Sequence, residues 1–256
     1  MRRPALAAPA AAALLAAGAG AAGGLALAQE PPPSSPAPPP PLAAERFGHS
    51  VQGRPLRLVR LGDPAAPRRV LVVGCVHGDE CAARAIVTKL IRRRVTPTGV
   101  QLLLVRTANP DGLAAHRRRN AHGVDLNRNS SQGWRRLGGA QYSGRRPWSE
   151  PEARALRDLV LRERPALVVW YHQPFGLVDR PESGDDAIAR RYARLAGMRF
   201  HPLGAYPGSL SRWVNARVAR GSSFVVELPA GRLRDRTVRR HADALLRVAA
   251  GRVAPG

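Results

Sequence analysis

Val70-Leu71-Val72-Val73-Gly74-Cys75-Val76-His77-Gly78-Asp79-Glu80 is the stretch whose reading decides the fold. Four apolar residues in a row read as a short strand buried on both faces. A helical pattern follows at once, over 81–90. A strand that runs straight into a helix belongs to an α/β domain, and functional side chains gather where such strands end. His77 and Glu80 stand three residues apart at that exit, where both can point at one metal ion. Imidazole nitrogen and carboxylate oxygen are good zinc ligands, and two His plus one Glu leave a fourth position open for water. Taken alone, His-x-x-Glu is a weak pattern, and the segment reads first as a helix start, with Asp79 and Glu80 offsetting the helix dipole.

Working outward, apolar β-rich runs recur at 56–61, 70–73, 102–105, 167–171 and 224–228. Helical patterns lie near 80–93, 150–163, 185–196, 210–219 and 235–250. Ser149 is suited to cap the second of these, with Glu150-Pro151-Glu152 in its first turn. Gly221 suits the stop before the last strand. This alternation predicts a single α/β domain with a mixed, mostly parallel central sheet and helices on both faces.

The chain has 256 residues, enough for one sizeable core. Its formal charge of +23 comes almost wholly from arginine, since Lys89 is the only lysine. Such a surface favours anionic partners. No nucleic-acid-binding motif accompanies it, so no specific nucleic acid is expected. Arg2-Arg3, an Ala/Leu/Gly stretch and Ala26-Leu27-Ala28 read as a signal peptide over 1–28. The stretch is only mildly hydrophobic, so no stable membrane span is expected after its removal; an uncleaved anchor is the other reading. Residues 29–44 form a Pro-rich linker, and the catalytic domain is expected over 45–256. Export and a periplasmic, cell-wall or extracellular location follow. Cys75 and Cys81 are expected as buried free thiols, with a disulfide as the alternative and metal ligation behind both.

Two further strand ends carry chemistry. His172 follows the run 167–171 and is the natural third ligand. Glu227 sits in an apolar strand end, where a carboxylate is costly unless it meets a cation, a donor or a metal-bound water. Asn109-Pro110-Asp111-Gly112 reads as a turn, with Pro fixing φ and Gly at the permissive position. Asn127 and Arg128 lie side by side and can hold a carboxylate.

At this point the chain resembles the M14 zinc carboxypeptidases over about residues 47–230. His77-x-x-Glu80, the Asn-Pro-Asp-Gly turn, Arg118-x-Asn120, Val124-Asp125-Leu126-Asn127-Arg128-Asn129, His172 and Glu227 stand in family order. Gly48-His49-Ser50-Val51-Gln52-Gly53-Arg54-Pro55-Leu56 also resembles the opening segment of many bacterial members. The resemblance implies one zinc ion on His77, Glu80 and His172, with Glu227 as general base and then acid. It implies Arg118, rather than Arg119, as the group that polarises the scissile carbonyl. Asn127 and Arg128 would hold the free carboxylate of the departing residue. Tyr206 lies where relatives carry a tyrosine that closes over substrate. Leu210 follows Gly208-Ser209, where relatives line the specificity pocket, and Arg212 could meet an acidic group there. The finer pattern is similar to bacterial murein peptide amidases, which implies a peptide or muropeptide substrate cut at a γ-D-glutamyl–diaminopimelate bond. An N-acyl amino acid hydrolase of the aspartoacylase and desuccinylase type, and a non-catalytic wall-binding module, stay open beside it.

Overall fold

The computed structural model describes residues 40–181, 186–218 and 222–251. The expected signal peptide and most of the expected linker lie outside them. The strands are β1 (Leu42–His49), β2 (Pro55–Leu61), β3 (Arg68–Val73), β4 (Val100–Val105), β5 (Leu167–His172), β6 (Phe175–Asp179), β7 (Arg199–His201) and β8 (Ser222–Pro229). The helices are α1 (Arg84–Arg93), α2 (Pro110–Ala114), α3 (Pro151–Glu163), α4 (Ala187–Ala196), α5 (Leu210–Arg217) and α6 (Asp235–Ala249). One sheet takes all eight strands in the order β1-β2-β4-β3-β5-β8-β6-β7. The central run β4-β3-β5-β8 is parallel, as is β6-β7. The pairings β1-β2, β2-β4 and β6-β8 are antiparallel.

Alternation along each central strand feeds two cores. Val70 and Val72 of β3, Val169 and Tyr171 of β5, and Phe224 and Val226 of β8 face one side, against α1, α4 and α6. Leu71 and Val73, Val168 and Trp170, and Val225 face the other, against α3 and α5. Both faces are therefore covered, which is why these strands read as unbroken apolar runs.

The structure departs from the expected elements in several places. Strands β1, β6 and β7 had no apolar run to announce them, because their outward positions are polar or exposed. Strand β1 begins at Leu42, inside the stretch expected as linker. Helix α1 begins at Arg84, not near residue 80, because the Ala82 N–H donates to Gln173 Oε1 at 3.0 Å instead of entering a helical ladder. Glu150, not Ser149, occupies the N-cap position of α3; the Ser149 hydroxyl donates to Glu150 Oε1 at 2.7 Å.

A polar chain runs through the first core. The Tyr171 and Tyr192 hydroxyls lie 2.8 Å apart, and Tyr192 reaches His241 Nδ1 at 2.7 Å. With the neutral imidazole carrying its proton on Nε2, Tyr171 donates to Tyr192 and Tyr192 donates to His241. Protonating Nδ1 reverses the chain and leaves the buried Tyr171 proton without an acceptor. Burial, then the nearby Arg240 charge, push the His241 pKa down to about 4. The unfolded imidazole binds its proton near pH 6.5. Between those values the unfolded chain holds more protons, so stability is full above about pH 6.5 and falls as pH drops toward 4. The expected loss from this one group is about 3 kcal/mol. Urea unfolding at pH 7 and pH 4 checks it. His241→Gln should flatten the pH slope by that amount, and an unchanged slope would remove His241 from the account.

Candidate metal centre and catalytic cleft

Strands β3, β5 and β8 end side by side, and their ends build the site. His172 is the last residue of β5 and pairs in register with Glu227 of β8. His77 follows β3 by four residues, on a loop that turns back sharply, with the Glu80 N–H on the His77 carbonyl at 3.1 Å. Cys75 and Cys81, expected as free thiols, are joined as a disulfide across that turn, with Cα atoms 4.8 Å apart. The covalent ring they close contains both His77 and Glu80.

Gly78 brings this loop against the Asn-Pro-Asp-Gly segment. A Cβ there would stand 1.9 Å from the Gly112 carbonyl carbon, so no side chain fits. That segment is not a free turn. It opens α2, with Pro110 at the first helical position and the Asn109 side chain accepting from the Gly112 N–H. Gly112 is needed for closeness, since its own φ is not positive. The buried Asp111 accepts from Ser50 Oγ and the Gln52 N–H, which ties the β1–β2 turn to this corner. The Arg118 carbonyl accepts from the Gly78 N–H and from Asn109 Nδ2, which sets Arg118 over the loop.

His77 Nδ1, Glu80 Oε2 and His172 Nδ1 converge, with Nδ1 to Oε2 distances of 2.7 Å and 3.0 Å and 3.1 Å between the two nitrogens. A tetrahedral zinc with bonds of about 2.0–2.1 Å separates its ligands by roughly 3.3 Å, so the three atoms fit one ion with little adjustment. Burial alone would raise the Glu80 carboxyl. Hydrogen bonds from His172 and His77 outweigh it and hold the group well below the usual carboxylate range. A ready anion is what a cation requires.

Behind His77 stands Asp125, whose role the sequence reading missed. It is fully buried, and its Oδ1 meets His77 Nε2 at 2.9 Å. Its Oδ2 accepts from Arg118 Nε at 3.0 Å. Burial works against this carboxylate too, but His77, then Arg118 and Arg128, hold it ionised and well below its ordinary pKa. Where a metal displaces the proton from Nδ1, Asp125 would keep the other proton on Nε2 and leave Nδ1 as the ligand atom. The cue in the sequence was a carboxylate between Val124 and Leu126, the same signal that marked Glu227.

Glu227 is 8% exposed, and its Oε2 is buried without a hydrogen-bond partner. Burial, then repulsion from Glu80, push its pKa up to about 7. A buried carboxyl poised near neutrality beside a ligand trio is suited to proton transfer.

These groups line a cleft of about 340 Å³ together with Arg118, Asn127, Arg128 and Tyr206. Arg118 pairs with Glu80 as well as Asp125, whereas Arg117 and Arg119 border a separate hollow. Arg128 is buried, with its Nε unpartnered and its guanidinium carbon 4.5 Å from the Tyr206 ring centre. Gly208 makes that stacking possible. Its φ is +69°, and a Cβ would stand 2.0 Å from the Arg128 carbonyl oxygen. Asn127 Nδ2 lies 3.3 Å from His172 Nε2, and its Oδ1 accepts from the Leu210 N–H at 3.0 Å. Leu210, expected along the specificity pocket, does not line the cleft. As the first residue of α5 it shares a face with Trp213 and Val214 and is buried in the second core, so only its backbone serves the site. Ser211, Arg212 and Asn215 line the cleft there.

The sheet and the His77, Glu80 and His172 trio at its strand ends have the arrangement of the zinc carboxypeptidase fold. The family model described as zinc carboxypeptidase matches residues 39–181, and the chain belongs to that family. The match includes His77, Glu80, Arg118, Asn127, Arg128 and His172; Tyr206 and Glu227 lie beyond it. Murein peptide amidase A of Escherichia coli K12 is 34% identical over 156 residues, covering 55% of this chain and 63% of that protein. The chain thus spans under two thirds of that relative's length. Murein peptide amidase A of Vibrio campbellii is 29% identical over 228 residues, covering 78% and 84%. The crystal structure of murein-tripeptide amidase from Escherichia coli O157 is similar at a TM-score of 0.65 and 25% identity, over 82% of this chain and 92% of that one.

Proposed function

We propose that this protein is an exported zinc-dependent amidase of peptidoglycan stem peptides. It hydrolyses the amide bond between γ-D-glutamate and diaminopimelate. The observation that carries the hydrolase reading is the buried, unpartnered Glu227 carboxyl beside His77, Glu80 and His172. A zinc ion held there would polarise the scissile carbonyl and lower the pKa of a bound water. Glu227 takes the proton from the attacking water and returns it to the leaving nitrogen. Arg118, anchored by Asp125, balances the negative charge that develops on the carbonyl oxygen. Arg128 and Asn127 hold the carboxylate of the departing residue, and Tyr206 covers it.

The murein substrate is supported by the likeness to the two murein peptide amidases. Arg128 and Arg212, both lining the cleft, suit a residue that carries more than one carboxylate. Export to the periplasm, cell wall or medium is supported by the apolar N-terminal segment read as a signal peptide. The Cys75–Cys81 disulfide also fits an oxidising compartment. Among the described residues, no helix is long and apolar enough to cross a membrane.

Zinc-loaded protein incubated with L-alanyl-γ-D-glutamyl-meso-diaminopimelate should release free diaminopimelate, read by mass spectrometry. Peptides with ordinary C-terminal L-residues should be cut far more slowly. The reverse preference would overturn the murein substrate while leaving the hydrolase. N-acetylaspartate turnover alone would move the protein to the N-acyl amino acid hydrolases.

A further inference from the structure

A second and larger groove, of about 790 Å³, opens beside the catalytic cleft, and Gln173 borders both. It lies where the chain leaves β3 and β4, walled by α1 and by residues 231–235 after β8. Its charge is one-sided. Arg84, Lys89, Arg92, Arg93, Arg106 and Arg232 line it, against Asp79 and Asp235. Arg93 pairs with Asp243. Among the described residues, no ion pair engages the other five cations.

Arg84, the first residue of α1, lines the groove. Its Nε is buried and has no hydrogen-bond partner. Burial, then the charge of Arg106, lower its pKa from the ordinary guanidinium value. An orphaned N–H and a like-charge neighbour both cost free energy, and an anion with several oxygens relieves both. Arg84 and Arg92 are eight residues apart on α1, so they share one face about 12 Å apart, with Thr88 between them. That row suits a chain of anionic groups more than a single ion. Among the described residues no aromatic side chain lines the groove, so they supply no stacking platform of the kind that single-stranded nucleic acid uses. Its walls are concave, which suits a strand of polymer more than a flat membrane.

We propose that this groove binds an extended polycarboxylate, with Arg84 and Arg106 gripping one anionic group. A concave, mostly basic site also concentrates such a chain beside the catalytic cleft. The inference does not depend on the reaction proposed above, because its test reads binding rather than turnover.

The probes are fluorescein-labelled octaglutamate with an amidated C-terminus and, in a second arm, tripolyphosphate as competitor. Anisotropy is read in 150 mM salt, about physiological ionic strength. Arg84→Gln/Arg106→Gln should weaken octaglutamate binding at least about tenfold, a loss of about 1.4 kcal/mol. Arg239→Gln/Arg247→Gln, which removes the same charge from α6 outside the groove, should change it less than about twofold. Tripolyphosphate should displace the probe from wild type. Equal losses in the two double variants would reduce the effect to net charge and overturn the site. So would absence of binding by wild type, or binding to phosphatidylglycerol vesicles without binding to octaglutamate. Unchanged circular dichroism and zinc content in the groove variant separate lost binding from lost folding.

Discussion

Glu227→Gln should lower kcat on the γ-D-glutamyl-diaminopimelate tripeptide by about a thousandfold, within the range for a lost general acid–base group. It should leave zinc affinity within about twofold, since Glu227 is outside the converging trio. The glutamine keeps the volume of the side chain on β8 and cannot take a proton from water. Oε2 has no hydrogen-bond partner, so the substitution strands no neighbouring donor. It also removes a negative charge that Glu80 repels. Stability should therefore hold or rise slightly. The measurement pairs steady-state rates with metal content by mass spectrometry. A kcat within tenfold of wild type would sink Glu227 as the base. Zinc loss together with rate loss would instead make it a ligand.

The legible parts of this molecule are those where burial writes a continuous signal. Strands β3, β4, β5 and β8 are buried on both faces, so each is an apolar run, and a polar residue at the end of such a run stands out. That is how His77, His172 and Glu227 became visible. The outer strands β1, β6 and β7 lie toward the sheet edges and lack the run, so pattern alone does not mark them. Loop residues have no period to read. The Arg118 corner is set by the Gly78 N–H and Asn109 Nδ2 on the Arg118 carbonyl, beside the close Gly78–Gly112 contact, and no local pattern encodes those long-range bonds. Leu210 shows the opposite failure. Its position in the chain is close to the cleft, but the helix that begins there turns it inward. Its turn into the core follows from its spacing to Trp213 and Val214. The basic groove is hidden for a third reason: in a chain of +23, one more arginine row carries no contrast.

Asp125→Asn should weaken zinc binding by about 10–100-fold, the usual cost of losing a partner behind a metal-binding histidine. The residue is hemmed by donors. Oδ1 meets His77 Nε2 and accepts from the Asn127 N–H, and Oδ2 accepts from Arg118 Nε. An asparagine amide placed toward His77 confronts the imidazole with a donor. That favours the tautomer with its proton on Nδ1, where the metal must bind. Placed the other way, the amide faces the Arg118 guanidinium, and two donors meet with no acceptor between them. Either orientation also leaves the half-buried Arg118 guanidinium with less compensation, since only Glu80 then pairs with it. Two effects should therefore appear together: weaker zinc in competition with a chromophoric chelator, and a lower urea midpoint for the metal-free protein. Asp125→Glu separates them, because it restores the charge to Arg118 but not the distance to His77. We expect it to recover most of the stability and little of the zinc affinity. If Asp125→Asn bound zinc as tightly as wild type, the orientation of His77 would have to come from the disulfide-closed loop alone.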